Sequence, residues 1–111
     1  MASRGEIWMF DPNPVRGHEQ GNRRPALIVS TDPYNQGPAN LVVVVPMTTR
    51  DRRIPLWVKI DPPEGGISEV SFAMCDAVRS VSTERLERRL GSVERQTLAA
   101  VEDRLRIVLE L

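Results

Sequence analysis

The chain has 111 residues, 41% of them hydrophobic and 27% charged, the length and composition of one compact domain over residues 1–111, which leaves no room for a second domain and argues against a disordered chain. Its formal net charge is zero, so bulk charge does not mark it for nucleic acid. Cys75 and His18 are its only cysteine and histidine, which excludes an internal disulfide, a paired-thiolate zinc site and a multi-histidine metal centre. No metal or other cofactor is expected.

Membrane and secretion signals are missing as well. No apolar run approaches the ~20 residues of a spanning helix, and Met1 to Asp11 lacks a basic segment followed by a long apolar stretch. A cytoplasmic protein without a membrane partner is the expectation.

In chain order, Gly5 to Phe10 carries aromatic and β-branched residues and is stopped by Asp11-Pro12-Asn13-Pro14, so it predicts an opening strand. The loop from Asp11 to Arg23 then holds Arg16, His18, Glu19, Gln20, Asn22 and Arg23, more functional groups than a connection needs. Pro25 to Ser30 predicts a buried strand that begins at a proline. Thr31 to Pro38 is turn chemistry. Leu41 to Val45, a leucine and four valines, predicts a central strand buried on both faces, ended by Pro46-Met47-Thr48-Thr49.

Leu56 to Ile60 predicts another strand and Asp61 to Gly66 a turn. Val70 to Cys75 and Ala77 to Val81 predict two strands broken around Asp76. Thr83 to Leu86 reads as one helical turn and Arg89 to Val93 as a last short strand. Leu98, Val101, Leu105 and Val108 recur at helical spacing and predict a C-terminal helix with Ser92 as its N-cap and Glu94 in its first turn. The fold expected is mainly β, a small twisted barrel of six or seven short strands with one helix laid across it.

The zero net charge hides two asymmetries. Fourteen arginines stand against the single Lys59, a bias that favours planar, bidentate contacts to phosphate or carboxylate, or follows from coding composition alone. Residues 1–60 carry net +3 and residues 61–111 net −3, so an anionic ligand should prefer the first half.

Individual residues have both a functional and a plain reading. Arg24, fixed by Pro25 at a strand entrance, is a phosphate clamp or a solvated charge. Thr48 donates a hydroxyl to a phosphate oxygen or satisfies a turn. His18 is an acid/base group near neutrality or a surface histidine. Asp76 is a base, an orienting carboxylate or a bulge residue. Cys75 reads as a small buried residue. Arg50, Arg52 and Arg53 form a basic rim or, with Asp51, a solvated loop. Trp8, Trp57 and Tyr34 stack on bases or pack.

Taken together, Arg4-Gly5-Glu6-Ile7-Trp8, Gly17-His18-Glu19-Gln20, Arg24-Pro25-Ala26-Leu27-Ile28-Val29-Ser30, Val45-Pro46-Met47-Thr48-Thr49 and Cys75-Asp76-Ala77-Val78-Arg79-Ser80-Val81 resemble the MazF/PemK family of toxin endoribonucleases, which includes Kid. The resemblance covers nearly the whole chain. It implies an SH3-like barrel of the CcdB/MazF/Kid type, a homodimer, metal-independent, sequence-selective cleavage of single-stranded RNA, and neutralisation by a MazE-like antitoxin with an acidic disordered tail. It carries the family's catalytic arginine onto Arg24 and its catalytic threonine onto Thr48, and adds His18 and Asp76 from the PemK/Kid branch. The RNA-binding set implied around them is Glu19, Gln20, Arg23, Thr49, Arg50, Arg52, Arg53 and Arg79.

Two positions depart from that pattern. Met74 stands where the PemK/Kid branch has an arginine proposed as general acid, and Ala77 where many members have a glutamine. The alternatives are a CcdB-like gyrase poison, against which the ending Val108-Leu109-Glu110-Leu111 speaks, and a member that only binds RNA or antitoxin.

Overall fold

A computed structural model describes residues 1–12 and 23–111. Seven strands, β1 (Glu6–Phe10), β2 (Arg24–Ile28), β3 (Leu41–Thr48), β4 (Trp57–Ile60), β5 (Ser71–Met74), β6 (Arg79–Ser82) and β7 (Leu86–Ser92), join in one antiparallel sheet. Its order is β4-β5-β3-β2-β1-β7, with β6 also paired to β3. The sheet is open between β4 and β7. One helical turn, α1 (Asp32–Asn35), follows β2, and the long helix α2 (Arg95–Leu109) closes the chain.

The valine-rich strand is the centre of this arrangement, and it runs further than its sequence predicts. Pro46 does not end it; β3 continues to Thr48. The Val43 N–H donates to Ser30 Oγ at 2.9 Å and the Val43 carbonyl accepts from Val29 N–H, so odd-numbered residues of β3 bond toward β2 and Pro46 turns its nitrogen the other way. On that side β3 pairs with β6 through Val44 and with β5 from Met47 onward. Pro46 sits at the gap between the two partners, where a missing N–H removes no ladder bond. The alternation in β3 is also looser than full burial on both faces, since Leu41 and Val43 are half-buried.

The handover from β6 to β5 is made by a 3-10 turn at Cys75–Ala77, at the break expected around Asp76. A second 3-10 turn at Thr83–Arg85 matches the single helical turn predicted there. Within Thr31 to Pro38 the chain makes the α1 turn, clamped by buried Asn35, whose Nδ2 donates to the Ser30 carbonyl at 3.0 Å.

Two apolar clusters lie on opposite faces of the sheet. Ile7, Leu27, Val45, Met47, Ile60, Ala73, Cys75 and Val101 form the first, beneath α2, with Leu98 and Leu105 packed against it. Phe10, Ala26, Ile28, Val42, Val44 and Val81 form the second. Cys75 is fully buried, and that burial pushes its thiol up to about 11, the behaviour of a small core residue.

The start of α2 differs from expectation. Ser92 remains in β7, paired with Glu6, and its hydroxyl accepts from Arg89 at 3.0 Å. The next residue is held by the Val93 N–H to Gly5 carbonyl bond at 2.9 Å, so the helix begins only at Arg95, with Glu94 as its N-cap. The Glu94 N–H donates to Glu64 Oε2 at 2.9 Å. At the other end Glu110 takes a left-handed conformation, φ 58°, and the Leu111 N–H closes onto the Arg106 carbonyl, an ordinary helix stop. Among the described residues no helix is long and apolar enough to cross a membrane.

Candidate nucleic-acid cleavage site

Strand register brings the two best-placed residues together. β2 and β3 pair Ala26 with Pro46, Leu27 with Val45 and Ile28 with Val44. The ladder ends at Ala26 and Pro46, and two residues beyond it Arg24 and Thr48 keep the same face of their strands. Both side chains line one cleft, together with Thr49 and Ser71.

Arg79 joins them from the other side. It is paired with Val44, which lies on the same face of β3 as Thr48 because the two are four residues apart. Arg24 and Arg79 line a second cleft of ≈ 320 Å³ with Phe10, Pro46, Met74 and Ala77. Arg24 lines both clefts, which lie to either side of it.

Charge in this groove is unbalanced. Among the described residues neither the Arg24 nor the Arg79 guanidinium carries an ion pair or a side-chain hydrogen bond. Thr48 Oγ1 accepts the Arg50 N–H at 3.2 Å, which fixes the hydroxyl oxygen and leaves its hydrogen available for a ligand. The set consists of two planar cations and one hydroxyl donor facing an open cleft, a combination suited to phosphoryl oxygens.

The remaining predicted residues fall into three groups. His18, Glu19 and Gln20 lie outside the described residues. Arg23 is adjacent to the groove but engaged: its Nε reaches Glu87 Oε1 and Oε2 at 2.8 and 2.7 Å, and that hydrogen bond raises its affinity for the proton. Arg50, Arg52 and Arg53 are exposed. Asp51 does not neutralise them; its Oδ1 accepts the Arg53 N–H at 2.9 Å and stabilises the turn.

Asp76 sits beside the groove. It is exposed on the Cys75–Ala77 turn, and its Oδ1 accepts the Trp57 indole N–H at 2.8 Å. Its neighbours Met74 and Ala77 line the cleft with Arg24. Trp57 and Trp8 are half-buried, and the Trp8 indole donates to Glu6 Oε1 at 3.0 Å; neither lines the two clefts that Arg24 shares. Tyr34, 39% exposed on α1, is not among the residues lining the groove.

Sequence reasoning passed over Ser71 and Arg88. Ser71 lines the cleft with Thr48 although it reads as an ordinary strand start, and its hydroxyl donates to the Glu69 carbonyl at 2.9 Å. Arg88 lies within the run Glu87-Arg88-Arg89, and its position next to the groove depends on β7 pairing with β1 from the far end of the chain. No local pattern reports such a pairing.

The chain resembles known proteins along its whole length. Endoribonuclease MazF9 of Mycobacterium tuberculosis is 36% identical over 116 residues, covering 100% of this chain and 98% of that protein. A solved MazE–MazF complex from Deinococcus radiodurans superposes with a TM-score of 0.82 at 32% identity, covering 99% of this chain and 96% of that one. An endoribonuclease from a mycobacterial species, solved with its cognate antitoxin, also gives a TM-score of 0.82, at 26% identity, covering 100% of this chain and 97% of that one. The profile of PemK-like, MazF-like toxins of type II toxin–antitoxin systems matches residues 3–109, nearly the whole chain including every strand of the groove, and the chain belongs to that family.

Proposed function

We propose that this MazF-type toxin is a ribonuclease that cuts single-stranded RNA in the Arg24–Thr48 cleft without a metal. The observation that carries the reading is the one cleft lined by Arg24 and Thr48 at the ends of paired strands β2 and β3, beside a second guanidinium, Arg79, that has no ion pair among the described residues.

RNA brings its own nucleophile. The ribose 2′-oxygen attacks the adjacent phosphorus, a P–O2′ bond forms as the P–O5′ bond breaks, and the products are a 2′,3′-cyclic phosphate and a 5′-hydroxyl. The protein has to hold that geometry and stabilise charge growing on the phosphoryl oxygens. Arg24 supplies a bidentate cation and Thr48 a hydrogen bond.

Proton transfer is a separate task. Arg24 is unsuited to it, since a guanidinium stays protonated in proteins. His18 takes the 2′-hydroxyl proton, and the leaving 5′-oxygen is protonated by water reaching the open cleft, because Met74 offers no proton. Asp76, tied to Trp57, acts as a positioning residue for the Cys75–Ala77 wall of the groove.

The partners follow from the same charges. An acidic, disordered antitoxin segment is drawn to the groove of Arg24 and Arg79 and to the Arg50–Arg53 loop, where it competes with RNA. That the two relatives above were solved with antitoxins supports this partner. A homodimer in the cytoplasm is the working form.

The test is cleavage of a long single-stranded RNA in EDTA by the wild type beside Arg24→Ala, with sequencing and end-group analysis of the fragments. Cuts at a short recurrent sequence that leave 5′-hydroxyl ends, absent with the variant, are expected. Intact RNA with folded wild-type protein overturns the reading. His18→Gln should flatten a rate that otherwise rises with pH through ~6.5; an unchanged profile removes His18 from the mechanism.

A further inference from the structure

The groove does not stop at Thr48. Pro25, Thr49 and Ser71 belong at once to the Arg24–Thr48 cleft and to a neighbouring one of ≈ 420 Å³. Its floor is apolar, made by Met9, Pro25, Ile67 and Leu90, and its rim carries Ser68, Glu69 and Arg88.

Arg88 is placed there by two strand pairings. It faces Met9 on β1, and Met9 faces Pro25 on β2, so Arg88 stands two strand spacings, ~10 Å, from Pro25. It lies on the sheet face opposite to Arg24, and the two clefts meet at the strand ends through Pro25, Thr49 and Ser71. Its neighbours are spent: Glu87 binds Arg23, and Arg89 binds Glu6 at 2.8 Å. Among the described residues Arg88 has no ion pair or side-chain hydrogen bond, and neither has the Glu69 carboxylate.

We propose that this second cleft is a nucleotide subsite, in which Arg88 holds the phosphate next to the one being cut and Glu69 reads the adjoining base. The inference rests on the RNA reading above and extends it to substrate selection. An apolar floor accepts the face of a base. An ionised carboxylate only accepts hydrogen bonds, so Glu69 favours guanine, the one base whose Watson–Crick edge offers two adjacent donors, N1–H and N2–H, to its two oxygens.

Binding and cleavage are measured separately. A random-sequence, fully 2′-O-methylated RNA pool cannot be cut by 2′-oxygen attack, and its affinity is followed by fluorescence anisotropy against salt. Arg88→Ala should reduce the slope of log affinity against log salt by about one, the signature of one lost phosphate contact, and Arg88→Glu should weaken binding about tenfold. In cleavage, Arg88→Ala should raise KM with kcat little changed. Glu69→Gln should relax a preference for guanine at one position beside the cut, read by sequencing fragment ends.

A wild type that binds the pool with Arg88-dependent affinity but cuts no RNA keeps the subsite and overturns the cleavage reading. Wild-type affinity and salt slope in both folded Arg88 variants overturn the subsite and leave the cleavage reading intact. Failure of the wild type to bind the pool overturns the subsite, and unchanged base preference in Glu69→Gln overturns its reading role.

Discussion

Arg24 and Thr48, 24 positions apart in the chain, lie at the ends of two paired strands and line one cleft. In the proposed reaction both serve the same phosphoryl group, so their effects should not add. Arg24→Ala should slow single-turnover cleavage by ~10²–10³-fold, and adding Thr48→Ala to it should cost far less than the threonine change does alone. Arg24→Lys should recover little, since an ammonium cannot make the two parallel bonds of a guanidinium. Strictly multiplicative losses would separate the two residues.

Glu6 ties the first strand to the last. Its burial opposes ionisation, but the Trp8 indole, the Ser3 amide and Arg89 outweigh that and hold its carboxyl below the ordinary 4.5. A lowered folded pKa means stability present above the unfolded value and lost as pH falls through the folded one. Glu6→Gln should therefore destabilise the protein by ~1–3 kcal/mol at pH 7, with the difference shrinking in acid. Urea titrations of both proteins at pH 7 and pH 3 check this; an equal gap at both values would remove the charge from the explanation.

Gly66 has φ +75°, and a Cβ there would stand 2.0 Å from the Leu90 carbonyl oxygen. That contact packs the Glu64–Gly66 turn onto β7 and forms one wall of the Arg88 cleft. Gly66→Ala combines a left-handed backbone with a backbone clash and should cost ~2–4 kcal/mol. Thermal unfolding followed by circular dichroism should show a clear drop in Tm; a wild-type melting curve would mean the turn moves aside freely.

Cys75, with a thiol pushed up to about 11, should be ~10⁻³ ionised at pH 8 and correspondingly slow to alkylate. Iodoacetamide should leave the folded protein unmodified on a timescale that labels it fully in urea. Rapid labelling of the native state would show that the packing beneath α2 opens readily.

The strands were legible wherever local chemistry decided them. The valine run, the break around Asp76 and the stripe of Leu98, Val101 and Leu105 all fell where spacing put them. Pro46 misled because its tolerance depends on a gap between β5 and β6, which only tertiary pairing creates. Ser92 misled for a similar reason: a good capping side chain was held in β7 by its pairing with Glu6. At the site, Arg24 and Thr48 could be named from the resemblance, and the register supplies their proximity. Arg88 needed a pairing across the length of the chain, and Ser71 the pairing of β5 with β3 and β4.

The position of β1 between β2 and β7 bears on when the protein becomes dangerous. The first strand gains its second partner only after residues 86–92 have left the ribosome, and Arg79 and the β5–β6 corner of the groove also come late in synthesis. A nascent chain can pair β2 with β3, yet the finished groove waits for the last third of translation. A groove of this topology is complete only once most of the chain has been made.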